Sequence, residues 1–134
     1  MNAEPRDLFG MSSILPRRRD EDARQAAIVE YVRLVAPQIL IWHVPNGGFR
    51  IKSEAARLKW MGLLPGVPDL SLVLPGGHSA YWECKTPKGR LSRDQIEFLR
   101  QVDQMGHSWA IVRDIDDARL ELARLGVVTR EAAA

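Results

Sequence analysis

Two apolar runs flank a Pro-Gly-Gly turn between Asp69 and Lys85: "DLSLVL", then "PGGH", then "SAYWECK". Apolar, β-branched and aromatic residues around a tight glycine turn specify an antiparallel hairpin. Such a hairpin fixes its own register, because a slip by one residue turns every buried side chain to the wrong face. Its ends pose a problem. The apolar middle is bounded by Asp69 on the first strand and by Glu83 and Lys85 on the second. Side chains alternate along a strand, so Glu83 and Lys85 share one face with Tyr81, and Trp82 and Cys84 take the other. Pairing across a turn centred near Gly76 brings Asp69 level with Glu83. Two carboxylates and an ammonium are therefore expected at the open end of one hairpin.

The remaining chain supplies elements to cover that hairpin. Residues 1–19 lack periodicity, hold two prolines and read as a loose arm. Asp20 is expected to cap a helix running to about Val35. Its apolar stripe is Ala27, Ile28, Tyr31, Leu34 and Val35, with Glu30 beside it. Residues 39–44 read as a strand. Ser53 is expected to cap a second helix over 54–63, which "PGVP" ends. The hairpin strands span 69–74 and 79–85. Ser92 and Gln95 make an S-x-x-Q capping box. It opens a helix with Ile96, Leu99, Val102 and Met105 as its buried face and Gly106 as its stop. "HSWAIVRD" reads as a strand and "DIDDARLELARLG" as a last helix, followed by a frayed tail. The order α-β-α-β-β-α-β-α predicts an α/β fold. The hairpin pairs antiparallel, and the strand–helix–strand unit after it pairs parallel. A mixed sheet flanked by helices follows, in one domain over 20–126 with a tail over 127–134.

Bulk properties narrow the function classes. A chain of 134 residues, 46% hydrophobic and 27% charged, suffices for one well-buried core. No apolar run has the length to cross a bilayer, so no membrane association is expected, and the N-terminal stretch lacks the apolar core of a secretory signal. A cytoplasmic location is the expectation. A single cysteine excludes an internal disulfide framework, and no Cys/His cluster suggests structural zinc. The net charge of +2 is mild, but the basic residues cluster in "RRR" at 17–19, "FRIK" at 49–52 and "KTPKGRLSR" at 85–93. Such patches fit a phosphate backbone. Arg50 and Lys52, beside Gly47 and Gly48, and Lys88 and Arg90 are the expected DNA contacts. The glycine loop lacks the Walker A spacing.

Two adjacent carboxylates repel and raise one pKa. A hard divalent cation relieves that repulsion, since Mg²⁺ takes carboxylate, carbonyl, water and phosphate oxygens. The Cys84 backbone carbonyl is a further expected ligand, and a lysine two residues after the glutamate is placed to orient an attacking water. Singly, each residue has a plain reading. Asp69 opens a strand after a turn, and Glu83 and Lys85 protect an edge. Together and in this order they form a kit for phosphodiester hydrolysis. Thiol catalysis by Cys84 with His43 or His78 has less to support it, because alternation turns Cys84 away from Glu83. The three histidines read as structural or surface residues. Trp42, Trp60, Trp82 and Trp109 read as core, with one of them available to stack on a base.

Pro68-Asp69 followed by Glu83-Cys84-Lys85 resembles the PD-(D/E)xK nuclease motif. "GLLPGVPDLSLV", the "ECK" strand and "LSRDQIEFL" resemble the VRR-NUC branch, the virus-type replication-repair nucleases. "IVRD" sits where that family has its Val-Arg pair, with Asp114 in place of a second Arg. The resemblance covers about residues 20–114. It implies a restriction-endonuclease-like core, Asp69 and Glu83 as metal ligands, and Lys85 as the catalytic lysine. It implies Gln95 as an active-site residue and Glu30 as a further acid near the metal. It also implies Mg²⁺ or Mn²⁺ as cofactor, a homodimer, and duplex or branched DNA as substrate. The corresponding role lies in replication, repair or recombination, of phage or prophage type. The rival reading is a non-catalytic DNA-binding module of a repair or packaging complex.

Overall fold

The structure, a computed structural model, describes residues 15–45 and 51–131, with side chains from Asp20 onward. Among the described residues the chain forms α1 (Leu15–Val35), β1 (Leu40–His43), α2 (Lys52–Trp60), β2 (Leu70–Leu74), β3 (His78–Cys84), α3 (Arg93–Gln104), β4 (Ser108–Val112) and α4 (Ile115–Arg124). The expected order of elements holds. The four strands make one mixed sheet in the order β1-β2-β3-β4, with β1/β2 and β2/β3 antiparallel and β3/β4 parallel.

The hairpin register follows from the turn. Gly76 and Gly77 both have positive φ, which glycine adopts without steric cost. They set Leu74 opposite His78, Leu72 opposite Ala80 and Leu70 opposite Trp82. Cross-strand partners share a face, so Leu70, Leu72, Leu74, Ala80 and Trp82 form one apolar surface. Ile41 from β1 and Ala110 and Val112 from β4 extend it. The cluster is closed by Ile28, Tyr31, Val32 and Val35 of α1 and by Ala118 and Leu122 of α4. Full burial of one such aliphatic or aromatic side chain is worth about 1.5–3 kcal/mol. The opposite face carries Ser71, Tyr81 and Glu83, and α3 packs there, with Phe98 edge-on to Tyr81 at 5.6 Å between ring centroids.

Several local expectations differ from the structure. Helix α1 begins at Leu15, so Asp20 lies within the helix and does not cap it. Its buried positions are 28, 31, 32 and 35, a strict i, i+3, i+4, i+7 stripe. Leu34 falls outside that stripe and is 65% exposed, whereas Val32 is fully buried. Helix α2 starts directly after Ile51, which makes no side-chain cap, and Ser53 is already inside it. On α3 the inward side is Gln95, Phe98, Leu99 and Val102, and Ile96 and Met105 face solvent. Of the four tryptophans only Trp82 is buried. The tail to Glu131 is docked. Arg130 N–H donates to the Val35 carbonyl at 2.8 Å, Gln38 Nε2 donates to the Val128 carbonyl at 2.7 Å, and Tyr31 O–H donates to Glu131 at 2.8 Å. These bonds close the C-terminal end of α1. Among the described residues no helix is long and apolar enough to cross a membrane.

Candidate active site

Continuing the β2/β3 register by one residue sets Asp69 opposite Glu83, and the side chains report that proximity. Asp69 Oδ2 accepts the Cys84 backbone N–H at 3.0 Å. The Asp69 carbonyl accepts the Val44 N–H at 2.8 Å and His43 Nδ1 at 2.9 Å. A carbonyl only accepts, so His43 holds its proton on Nδ1. Asp69 is thereby fixed from both sides, its backbone by β1 and its carboxylate by β3. The His43 contribution was invisible in the sequence, because it depends on β1 running antiparallel beside β2.

Glu83 is buried on the α3 side of the sheet. Its Oε1 accepts Gln95 Nε2 at 3.0 Å and lies 3.6 Å from Lys85 Nζ. Its Oε2 is buried and has no hydrogen-bond partner among the described residues. A carboxylate oxygen in that state costs free energy unless something outside the protein satisfies it. Burial, then the negative charge of Asp69, push the Glu83 carboxyl up to about 8, and the Lys85 ammonium only partly opposes them.

Gln95 serves two purposes at once. Its Oε1 accepts the Ser92 N–H at 2.8 Å, while its own N–H donates to Ser92 Oγ at 3.2 Å, closing the expected capping box. That leaves Nε2 directed at Glu83. The start of α3 is in turn locked to the turn before Asp69. Gly66 has φ +83°, and a Cβ there would lie 2.3 Å from the Asp94 carbonyl oxygen. Only glycine lets that turn lie so close to the helix that carries Gln95.

Lys85 extends past the end of β3 with its stem against Gly89, where an added Cβ would meet its Cδ at 3.3 Å. Arg113 reaches the same loop, donating to the Gly89 carbonyl at 3.4 Å. Cys84 packs against the core on the other face. Burial, then Asp69 and Glu83, push its thiol up to about 12, so it stays protonated and is a poor nucleophile.

Asp69, Glu83, Lys85 and Gln95 therefore converge, and Glu30 does not. Helix α1 packs on the Trp82 face of the sheet, and Glu30 is exposed in a groove with Asp22, Gln25, Arg33 and His43. Among the described residues no three His, Cys, Asp or Glu side chains gather around a common point, so the centre rests on the Asp69–Glu83 pair. The α1 side chains beside Lys85 are Glu21, Arg24 and Gln25, which line a small cavity with Cys84 and Thr86. Glu21 carries no motif in the sequence, and only the packing of α1 against the end of β3 sets it beside Lys85. Of the expected DNA contacts, Lys52, Lys88 and Arg90 are exposed, and no ion pair engages them among the described residues. Arg50, with Gly47 and Gly48, lies outside the described residues.

A buried carboxylate pair with an unpartnered oxygen is suited to a cation with oxygen ligands, and an adjacent lysine is suited to a water or phosphate. The VRR-NUC domain profile matches residues 19–113. A solved structure, a "VRR_NUC domain protein", is similar in fold, with a TM-score of 0.63 at 19% identity over 81% of this chain and 89% of that one. No curated protein matches the sequence. The sequence motif, the profile match and the shared fold agree: this chain belongs to the VRR-NUC domain family, a nuclease family.

Proposed function

We propose that the protein is a divalent-metal-dependent DNA endonuclease. The observation that carries this reading is the buried pairing of Glu83 with Asp69, in which Glu83 Oε2 meets no donor among the described residues and the Asp69 charge helps push the Glu83 carboxyl up. Asp69 and Glu83 would hold Mg²⁺ or Mn²⁺ through their carboxylates, with the Cys84 carbonyl as a further oxygen. When bound, such a cation offsets the charge of the scissile phosphate and makes water more acidic.

The chain's own residues do the rest. Gln95 ties down Oε1 of Glu83, so that Oε2 remains free. Lys85 orients the attacking water from 3.6 Å beyond Glu83 and steadies charge that develops on the phosphate oxygens. Water attacks phosphorus in line and gives up a proton to solvent as the P–O3′ bond breaks, and the leaving 3′ oxygen takes a proton from another water. Lys52, Lys88 and Arg90 contact the DNA backbone. Glu30, away from the carboxylate pair, would act only through His43, its neighbour in the groove.

Selectivity for branched, junction or flap DNA belongs to the same proposal. So does a homodimer, since two sites related by a two-fold axis suit cutting both strands. A cytoplasmic role in replication, repair or recombination, of phage or prophage type, completes it.

The test is nicking of supercoiled plasmid and of branched DNA with Mg²⁺ or Mn²⁺, with RNA substrates alongside. Wild type is expected to cut DNA and Lys85→Ala to lose that activity. Equal behaviour of the two would overturn the enzymatic reading and favour the non-catalytic DNA-binding module. Light scattering tests the dimer: a monomer that still cuts both strands would rule out the paired-site arrangement.

A further inference from the structure

Helix α2 contributes nothing to the core. None of its residues is buried, and its last residue, Trp60, is 86% exposed. An exposed indole offers a partner a large, rigid apolar face. Residues 57, 60 and 61 share one helical face. There Arg57 donates to Met61 Sδ at 3.2 Å, one turn along from it on the same face as Trp60. Lys52, Arg57 and Lys59 outnumber the one acid, Glu54, and no ion pair neutralises them among the described residues. An exposed aromatic among unpaired cations is the combination that binds unpaired nucleic acid, the ring stacking on a base and the cations lying along its phosphates.

The position of α2 ties this face to the candidate active site. The chain leaves Trp60 through a turn at Gly62, packs Gly66 against Asp94 and Gln95, and arrives at Asp69. A ligand held on α2 is therefore linked through a short, packed connection to both the carboxylate pair and Gln95.

We propose that Trp60 stacks on an unpaired base of the DNA substrate, with Lys52, Arg57 and Lys59 on the flanking phosphates. This rests on the nuclease reading and deepens it, because it makes unpaired bases, rather than duplex alone, what the protein selects. Of the four tryptophans, Trp60 is the one whose exposure and charged surroundings suit that role.

The experiment measures binding and not cleavage, so its outcome stands apart from that of the plasmid assay. Fluorescence anisotropy of labelled DNA is followed with the full chain in EDTA, for a fork with splayed single strands and for a fully paired duplex of equal length. Trp60→Ala is expected to weaken fork binding by about 5- to 100-fold and duplex binding by less than about 2-fold. Trp60→Phe is expected to recover most of the loss. Lys59→Ala is expected to weaken both substrates alike and to reduce the salt slope by about one. Trp60 is exposed, so these variants keep the fold, which circular dichroism checks. Equal weakening of fork and duplex by Trp60→Ala, or no weakening of either, would overturn the proposal. So would a drop in molar mass for Trp60→Ala, because the indole would then be covered by a second copy of the chain.

Discussion

The β2/β3 hairpin ends in two contrasting ways. At its turn the polar side chains are paired. His78 Nε2 lies 2.7 Å from Ser108 Oγ, and His107 Nδ1 accepts the Ser79 N–H at 3.2 Å. At its open end Asp69 and Glu83 face one another, and one carboxylate oxygen is left over. Both ends lie on the same two strands with the same apolar middle. A satisfied polar end is what a stable sheet edge requires. An unsatisfied one persists only where something besides stability maintains it, and on the proposed function that is the binding of a cation. Substitutions should therefore act in opposite ways at the two ends.

The largest effect is expected for Glu83→Gln. Removing its charge should lower DNA cleavage by about 10²–10³-fold or more. It should leave the metal-free melting temperature unchanged near neutral pH, where that carboxyl holds a proton, and raise it above about pH 8, where an ionised Glu83 would repel Asp69. Loss of both activity and stability would show that Glu83 is an ordinary structural residue. Next comes Gly66→Ala. The added Cβ collides with the Asp94 backbone, so a destabilisation of about 1–3 kcal/mol is expected in chemical denaturation. Cleavage by the folded fraction should fall as well, since Gln95 shifts with the start of α3. A destabilised variant with full specific activity would separate the α3 clamp from the site.

A smaller effect is expected from pH. Between the ordinary glutamate value of 4.5 and about 8, the folded metal-free chain keeps a proton on Glu83 that the unfolded chain has released. Its contribution to stability is complete below 4.5 and is lost as pH rises through about 8. Melting in EDTA should thus decline across that window, and Asp69→Asn should flatten the decline. A melting temperature that rises with pH there in wild type but not in Glu83→Gln would contradict the assigned shift. The smallest effect belongs to the turn end. His107→Ala should cost about 1 kcal/mol of stability and leave cleavage intact.

The site was more legible in the sequence than the helices around it. Strand alternation and a glycine turn fix which residues meet, so Asp69, Glu83 and Lys85 followed from counting. The Ser92–Gln95 box was equally local, although its second use, the Nε2 bond to Glu83, needed the fold. Helix faces were harder. Around α1 several apolar residues compete, and the sheet beneath selects Val32 over Leu34. On α3 the site takes Gln95 inward and leaves Ile96, its neighbour, 53% exposed. For Glu30 the family resemblance implies a place near the metal, but its helix packs on the side of the sheet away from Glu83. The tail looked frayed because its anchors, the Val35 carbonyl, Gln38 and Tyr31, lie between 90 and 100 residues upstream. Trp60 looked like core by composition, and only its position on an unburied helix marks it otherwise.

On the proposed function, the open end of the hairpin holds a divalent cation. Titration of Mn²⁺ into the full chain, with free Mn²⁺ followed by electron paramagnetic resonance, tests it directly. Wild type is predicted to remove about one Mn²⁺ per chain from solution, and Glu83→Gln, folded by circular dichroism, is predicted to leave it free. No uptake by wild type, or equal uptake by the two proteins, would contradict the account.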